Sequence, residues 1–599
     1  MMIEKTHIRR YRLILMGGLF FWLLLVGRLV YIQLERSSIF QSVAAQQQLR
    51  FRELKPNRGT VYDRRLTPLT LNLVYDSFGV RPDSLKDRSR AASLLSPLLG
   101  KSRKCVSEVL NKSGDFIWLA KKVEPSVGEQ IRSLNIPGIC PQRDVLRYYP
   151  FGKLAGQVIG FTNTTNCGIE GIEMDMNSAL TGTPGKCIIL MDANCRRYSD
   201  VTLPYDPPQD GCDIVLTLDA RCQSIVEEEL LATVDQYGAR GAMGVVIIPR
   251  TGEILAMANI PEFDPNHVNR YNKAQRKNRV VTDLFEPGSI FKVVTAAAAL
   301  QEGIVQPEDS IYAENGSFLY AGTVLHDWKK FGWVTFREAI EHSVNIAVAK
   351  IALKLGPTTF YTYATNFGFG CKTGVQFPGE VNGVLRDQTQ WSGRSLITMA
   401  LGQEVSVTAL QMACAYGAVA NGGCLMQPQI VKRVVDHNGD VIREMNVKQI
   451  RRVLRPEIAE LVTQFLKGVV DRGTGVKAQV DHITVAGKTA TAQKADREGY
   501  REGKYMACFV GFLPAEDPQL VGVVVIDEPQ QIYWGGEVAA PTFGRIMKRI
   551  VHLPDGPVEN FLLAQVERLT DDMLVSIHRE AGLASQGRGE LLSQVLTDE

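Results

Sequence analysis

Residues 285–300, FEPGSIFKVVTAAAAL, open with a break and continue as a helix. Pro287 and Gly288 interrupt regular structure, and the alanine-rich run behind them is strongly helix-forming. Ser289 and Lys292 therefore stand three residues apart at a helix start, where positions i and i+3 share a face and the amine can reach the hydroxyl. The first N–H groups of a helix have no partner within it and its dipole favours negative charge, so the same position can hold an oxyanion. For Lys292 to act as a base it must be neutral, which burial or a neighbouring cation promotes.

An S-x-x-K pair alone occurs by chance in a chain of 599 residues, and its weight comes from its partners. Ser343-Val344-Asn345 supplies a second hydroxyl for proton relay and an amide for a substrate carbonyl. Farther on, Lys488-Thr489 lies in the alternating run ITVAGKTATA, Ile483 to Ala492, which reads as a strand. With a period of two, Thr489 and Thr491 share one strand face and can both reach a bound carboxylate.

S-x-x-K, S-x-N and a K-T box in this order are the set found in penicillin-binding proteins and serine β-lactamases. The match extends beyond the boxes, to Arg279-Val-Val-Thr-Asp283, Ala400-Leu-Gly-Gln-Glu404, Val407-Thr-Ala-Leu-Gln411 and Tyr533-Trp-Gly-Gly536 running into Ala539-Ala-Pro541. Upstream, Arg58-Gly-Thr-Val-Tyr-Asp63-Arg64, Arg147-Tyr-Tyr-Pro150 and Gly168-Ile-Glu-Gly-Ile-Glu173 join it. In these motifs the chain resembles the class B penicillin-binding proteins of the division-specific type, the septal peptidoglycan D,D-transpeptidases (penicillin-binding protein 3 type). The resemblance implies Ser289 as nucleophile, Lys292 as base, Ser343 as proton relay, Asn345 as substrate holder and Lys488 as a source of positive charge. It implies an oxyanion hole from the N–H groups of Ser289 and Thr491, and substrate binding at Thr489, Ala490 and Thr491. It further implies peptidoglycan stem peptides as substrate, β-lactam antibiotics as inhibitors acylating the same serine, and a membrane glycan polymerase with other division proteins as partners. No cofactor or metal is expected.

The sequence departs from the family at Ala490, where the third box normally carries glycine. A Cβ there could crowd substrate, or cost about 1–2 kcal/mol if the backbone needed a positive φ. A literal Lys372-Thr373-Gly374 also exists, but it follows the Gly-rich turn Phe367-Gly-Phe-Gly370 with no strand alternation, and it reads as a loop. His342 beside Ser343 invites a dyad, yet adjacent helix residues do not face each other.

The expected fold is α+β: a serine transpeptidase, β-lactamase-like domain with an antiparallel sheet flanked by helices, behind an elongated non-catalytic pedestal. Strand-like runs at 242–249, 483–492, 506–513 and 520–526 bracket a helical middle. Expected boundaries are a cytoplasmic tail at 1–12, a transmembrane helix at 13–34, the pedestal at 35–203, a linker at 204–211, the transpeptidase domain at 212–555 and a C-terminal tail at 556–599. The linker is read from its clustered Pro, Asp and Gly.

Leu13 to Leu34 holds one charge, Arg28, and reaches roughly 33 Å as a helix, enough to cross a bilayer core. Lys5, Arg9, Arg10 and Arg12 precede it, which keeps the N-terminus in the cytoplasm and places the rest outside the inner membrane. A cleaved leader ending near Ser42-Val43-Ala44-Ala45 is the alternative. The apolar run is long for one, and Glu35-Arg36 separates it from that site.

A net charge of +3 on this length gives no basic face for nucleic acid, and no zinc-finger spacing appears. The 11 cysteines are scattered without a CxxC pair, and most are expected as buried small hydrophobes. Two rival functions share the boxes. A β-lactamase or β-lactam sensor needs a base for deacylating water, for which no Glu-x-x-x-Asn element is placed. A dead division scaffold is disfavoured because the catalytic positions are intact.

Overall fold

In a computed structural model the described residues are 2–114, 116–191, 197–198, 204–496 and 499–558, so nearly all of the expected tail at 556–599 lies outside them. The chain divides into two compact units, residues up to 59 with 181–211, and 60–180 with the residues from 212 onward.

In the first unit, α1 (Met2–Val30) runs on through a π-turn at Tyr31–Glu35. Among the described residues, His7–Glu35 is the one helix long and apolar enough to cross a membrane, and none of its apolar window is buried within the protein. A helix apolar on all sides needs an apolar surrounding. Arg28 near its end lies 5.5 Å from the Tyr31 ring centroid, so its charge sits on an aromatic face. The unit also holds a small sheet of Leu49–Leu54, Gly185–Met191, Arg197–Tyr198 and Tyr205–Asp206. Residues 204–211 are extended, as their composition requires, and they are also pinned: Tyr205–Asp206 pairs with Cys187 and Lys186. The Asp210 carboxylate accepts from Asn57 N and Nδ2 at 2.8 and 2.9 Å.

The second unit begins with a three-stranded sheet of β1 (Leu71–Val80), β2 (Ile117–Val123) and β3 (Ile139–Tyr148), in the order β2-β1-β3, over a small core of Phe78, Val80, Leu95 and Leu110. All three upstream motifs have structural work here. Asp63 accepts N–H bonds from Arg65, Thr67 and Ala220 at 2.9, 2.7 and 3.1 Å, closing its own turn and holding the start of the helix that begins at Ala220. Arg147 and Glu173, both almost fully buried, pair at 2.6 Å.

The main body is one antiparallel sheet between helices. Its parts in chain order are α2 (Ala220–Tyr237), β4 (Gly241–Ile247), β5 (Ile254–Ile260), α3 (Lys292–Gln301), α4 (Asn345–Leu355), α5 (Ala409–Ala420), α6 (Pro456–Asp471), β6 (Ala486–Asp496), β7 (Gly499–Leu513), β8 (Leu520–Asp527) and α7 (Ala539–Val551). The strand order is β5-β4-β8-β7-β6, every pairing antiparallel, with β6 at the edge. The central strands read as continuous apolar runs because both faces are buried. Along β8, Leu520, Val524 and Ile526 join the core under α2 and α7, while Val521, Val523 and Val525 join the core under α3 and α5. Gly522 leaves room for that packing: a Cβ there would lie 2.1 Å from Met547 Cε and 2.9 Å from the Phe543 ring, so both side chains would have to shift.

β6 and β7 run farther into their hairpin than the apolar pattern indicates, to Asp496 and back to Gly499. Backbone pairing continues beyond the apolar run, so hydrophobicity does not mark the end. Four of the ten described cysteines, Cys222, Cys414, Cys424 and Cys508, are buried, while Cys105, Cys167 and Cys371 are exposed. The expectation that most are core residues is therefore not met among the described residues: Cys140 and Cys187 lie on half-buried strands, Cys105 on a surface helix, and Cys167, Cys212 and Cys371 in loops.

Candidate active site

Pro287 and Gly288 lead into a 3-10 turn, Gly288–Phe291, from which α3 continues at Lys292. In 3-10 geometry residues i and i+3 eclipse, and the Lys292 backbone N–H donates to Ser289 O, which puts both residues on one side of the turn. Gly288 has φ +57°, a conformation that costs other residues 1 kcal/mol or more (about 1–2). Ser289 is partly exposed between buried Gly288 and buried Ile290.

The turn is clamped from behind. Gly288 N donates to Gly402 O at 3.0 Å, and Phe285 and Val407 exchange two backbone bonds of 3.1 and 2.9 Å. Gly402 has φ +81°, and a Cβ on it would lie 2.1 Å from Gly288 O. The Glu286 carboxylate accepts from Glu404 N at 2.9 Å. The motifs around 400–411 thus hold the backbone of the serine turn.

Lys292 is fully buried. Its Nζ donates to Ser343 O at 2.8 Å, Asn345 Oδ1 at 2.6 Å and Ser343 Oγ at 3.1 Å. The two carbonyl oxygens suffice to orient two N–H groups, which leaves a lone pair when the amine is neutral. Burial, and after it the Lys488 ammonium, hold its pKa well below the usual lysine range, with Asp327 opposing them. Ser343 reaches Lys292 from a left-handed backbone, φ +59°, in the turn before α4. Strain of this kind persists only where surrounding contacts impose it.

Asn345 opens α4 and is held on two sides. Its Nδ2 donates to His326 O at 2.9 Å, and its backbone N donates to the Asp327 carboxylate. His342 takes no part in a dyad with Ser343: its ring stacks on Phe331 and its carbonyl accepts from Trp328 Nε1 at 3.0 Å.

On edge strand β6, alternate side chains part company. Lys488 is buried beside Lys292, and burial pushes its pKa down to about 7. Ala490 and Ala492 follow on the same face, against Gly288: a Cβ on that glycine would meet theirs at 3.6 and 3.4 Å. The Ala490 Cβ is thus spent on packing under the serine turn, and Ala490 is not among the residues with positive φ. On the opposite face Thr489 Oγ1 lies 2.6 Å from Thr474 Oγ1, and Thr491 Oγ1 accepts from Gly535 N at 2.9 Å.

A buried lysine one eclipsed turn from a partly exposed serine, bracketed by S-x-N and an edge-strand lysine, is decisive together with the matching family model. Residues 242–548 match the penicillin-binding protein transpeptidase domain. The chain belongs to that family. Residues 53–216 match the penicillin-binding protein dimerisation domain, the order of the class B members. Among relatives, the chain is 32% identical to stage V sporulation protein D of Bacillus subtilis, covering 92% of this chain and 86% of that protein. It is also 32% identical to the peptidoglycan D,D-transpeptidase FtsI of Escherichia coli, covering 87% and 88%. Among solved structures, penicillin-binding protein 3 of Mycobacterium tuberculosis in complex with aztreonam superposes with a TM-score of 0.67 at 28% identity, covering 84% of this chain and 96% of that one.

The literal K-T-G at 372–374 forms no strand and has another employment. Thr373 N and Gly374 N donate to the Glu380 carboxylate at 2.7 and 3.3 Å, and Lys372 is exposed. Two residues of the site escaped sequence reasoning. Thr474 sits in Arg472-Gly-Thr-Gly475, whose flanking glycines were the available signal, and Asp327 sits in an irregular loop that gives none.

Proposed function

We propose that the protein cross-links peptidoglycan stem peptides during cell division by serine D,D-transpeptidation through an acyl-enzyme on Ser289. The observation that carries this reading is Lys292, buried, held by Ser343 and Asn345, and one 3-10 turn beyond Ser289. As Ser289 Oγ attacks the donor carbonyl, its proton passes to Lys292 Nζ, and Ser343 relays a proton to the departing amine of the terminal D-residue. The N–H groups of Ser289 and Thr491 receive the developing oxyanion. Thr491 lies on an edge strand, and alternate N–H groups of an edge strand are free of the ladder. Lys488 adds positive field, Asn345 holds the substrate amide, and Thr489 and Thr491 bind the peptide carboxylate. The acceptor amine then attacks the acyl-enzyme, and protons move in reverse. A β-lactam enters the same path and stops at the acyl stage.

The same reading makes 13–34 a single-pass anchor in the inner membrane with a cytoplasmic N-terminus, favoured by Lys5, Arg9, Arg10 and Arg12. It makes 35–203 a pedestal, 204–211 a linker and 212–555 the extracytoplasmic catalytic domain. A membrane glycan polymerase is the partner that would supply strands to cross-link.

The test is mass spectrometry of the protein after a fluorescent penicillin. Ser289 should carry the label, and Ser289→Ala should abolish it while leaving the thermal melt unchanged. Label on another residue, or label that persists in Ser289→Ala, ends the assignment.

A further inference from the structure

We propose that Asp327 is a positioning residue for Lys292, acting through Asn345 and through the charge of its own carboxylate. The proposal rests on the reading of Lys292 as the base for Ser289. Asp327 Oδ1 accepts the backbone N–H of Asn345, the first residue of α4. A carboxylate at a helix N-terminus satisfies donors the helix leaves free and is favoured by its dipole. The neighbouring carbonyl of His326 holds Asn345 Nδ2 at 2.9 Å. Two consecutive residues, His326 at the end of the strand Thr323–His326 and Asp327 just after it, therefore fix both the backbone and the side chain of Asn345, and Asn345 Oδ1 in turn holds Lys292 Nζ at 2.6 Å.

The second carboxylate oxygen, Asp327 Oδ2, is buried and has no hydrogen-bond partner among the described residues. A carboxylate bound only through Oδ1 would do for capping, so the buried charge on Oδ2 calls for another reason. The charged groups that act on Lys292 are Lys488 from β6, which favours the neutral amine, and Asp327, which favours the ammonium. The charged group that acts on Asp327 is Lys292, and burial raises the pKa of the carboxyl against it. The nearby histidines are otherwise engaged: His326 Nδ1 lies 3.2 Å from Ser317 Oγ, and His342 stacks on Phe331. Lys292 thus sits between one cation and one anion. Burial, and after it Lys488, make it a base, and Asp327 keeps it able to take up the serine proton.

The sign of the effect follows. Removing the carboxylate charge removes support for the ammonium, so Lys292 stays neutral to lower pH and the acidic limb of the acylation profile moves down. The experiment is the rate of fluorescent-penicillin acylation of the full-length protein in detergent across pH 5–10, with far-UV circular dichroism and thermal melts as controls. Asp327→Asn keeps an oxygen for Asn345 N–H, and should shift the limb by about 0.5–1 pH unit toward acid. Asp327→Glu keeps the charge and should leave the limb within about 0.3 unit, whatever its effect on the maximal rate. Superimposable profiles for parent and Asp327→Asn overturn the proposal, as do equal shifts in both variants, which would mean shape and not charge. A Ser289→Ala arm keeps the two ideas apart: label lost there with an unmoved limb in Asp327→Asn overturns only the role of Asp327, whereas label retained overturns the acyl-enzyme reading beneath it.

Discussion

At the scale of single residues, Lys488 carries a cost that can be measured. Its side chain is buried and its pKa is pushed down to about 7 by that burial. In the unfolded chain a lysine titrates near 10.4, so between about 7 and 10.4 the unfolded state binds more protons, and this group makes stability rise with pH across that window. Lys488→Met, of similar volume, removes the cost. Its melting temperature should exceed that of the parent by more at pH 6.5 than at pH 9.5, and penicillin acylation should fall at both. A gain that does not depend on pH would mean that Lys488 is not charged against its surroundings. Ser289, Lys292, Ser343 and Asn345 were legible in the sequence because each occupies a short box whose spacing survives folding. The effect of Ala490 was not, since the direction of its Cβ depends on Gly288, two hundred residues earlier in the chain, lying against the same strand face. Crowding of substrate was one possible consequence of that Cβ, and in the fold it packs against Gly288.

At the scale of elements, the serine turn and edge strand β6 make the site, and each has a sequence decoy or a hidden support. Period-two alternation correctly favoured the strand around Lys488 over the literal box at Lys372, because a strand pattern is local. The clamp from Gly402 and Val407 was visible only as motif, and its purpose needed the fold. Gly402→Ala would drive a Cβ into Gly288 O, at 2.1 Å in the present backbone. A displacement of about 1 Å at the reacting group can cost 100-fold, so acylation should fall by at least that much. Lys372→Ala should stay within about twofold of the parent, since an exposed loop side chain touches no reacting atom. Acylation lost in Lys372→Ala and kept in Gly402→Ala would reverse the assignment of both elements.

At the scale of the whole molecule, the α+β character and four of the five strands of the main sheet were readable from apolar patterns along the chain, whereas β5, the upstream sheet and the long-range seams were not. Residues 60–180 group with the catalytic residues, and the contacts between them join positions far apart in sequence. Ala155 N donates to Glu227 Oε1 at 2.9 Å, Gln157 Nε2 donates to Pro261 O and Gln275 O at 3.0 and 3.1 Å, and Tyr149 and Asn266 exchange two bonds of 3.1 and 2.9 Å. No periodicity encodes such pairs. Val158, Ile159 and Ile172 share one apolar cluster with Met257 and Phe263, so this seam is core and not a surface contact. Cooperative unfolding follows, because neither side can expose that cluster without losing burial on the other. Gly156 is where the two backbones come closest: a Cβ there would lie 1.9 Å from Phe263 O. Gly156→Ala should destabilise by about 1–3 kcal/mol or more, as overpacking does. The loss should appear as one transition, with circular dichroism and penicillin-binding capacity falling at the same temperature, although residue 156 belongs to none of the catalytic boxes. Two separated transitions, with acylation surviving the first, would mean that 60–180 is an independent domain resting on the catalytic body and not a part of its core.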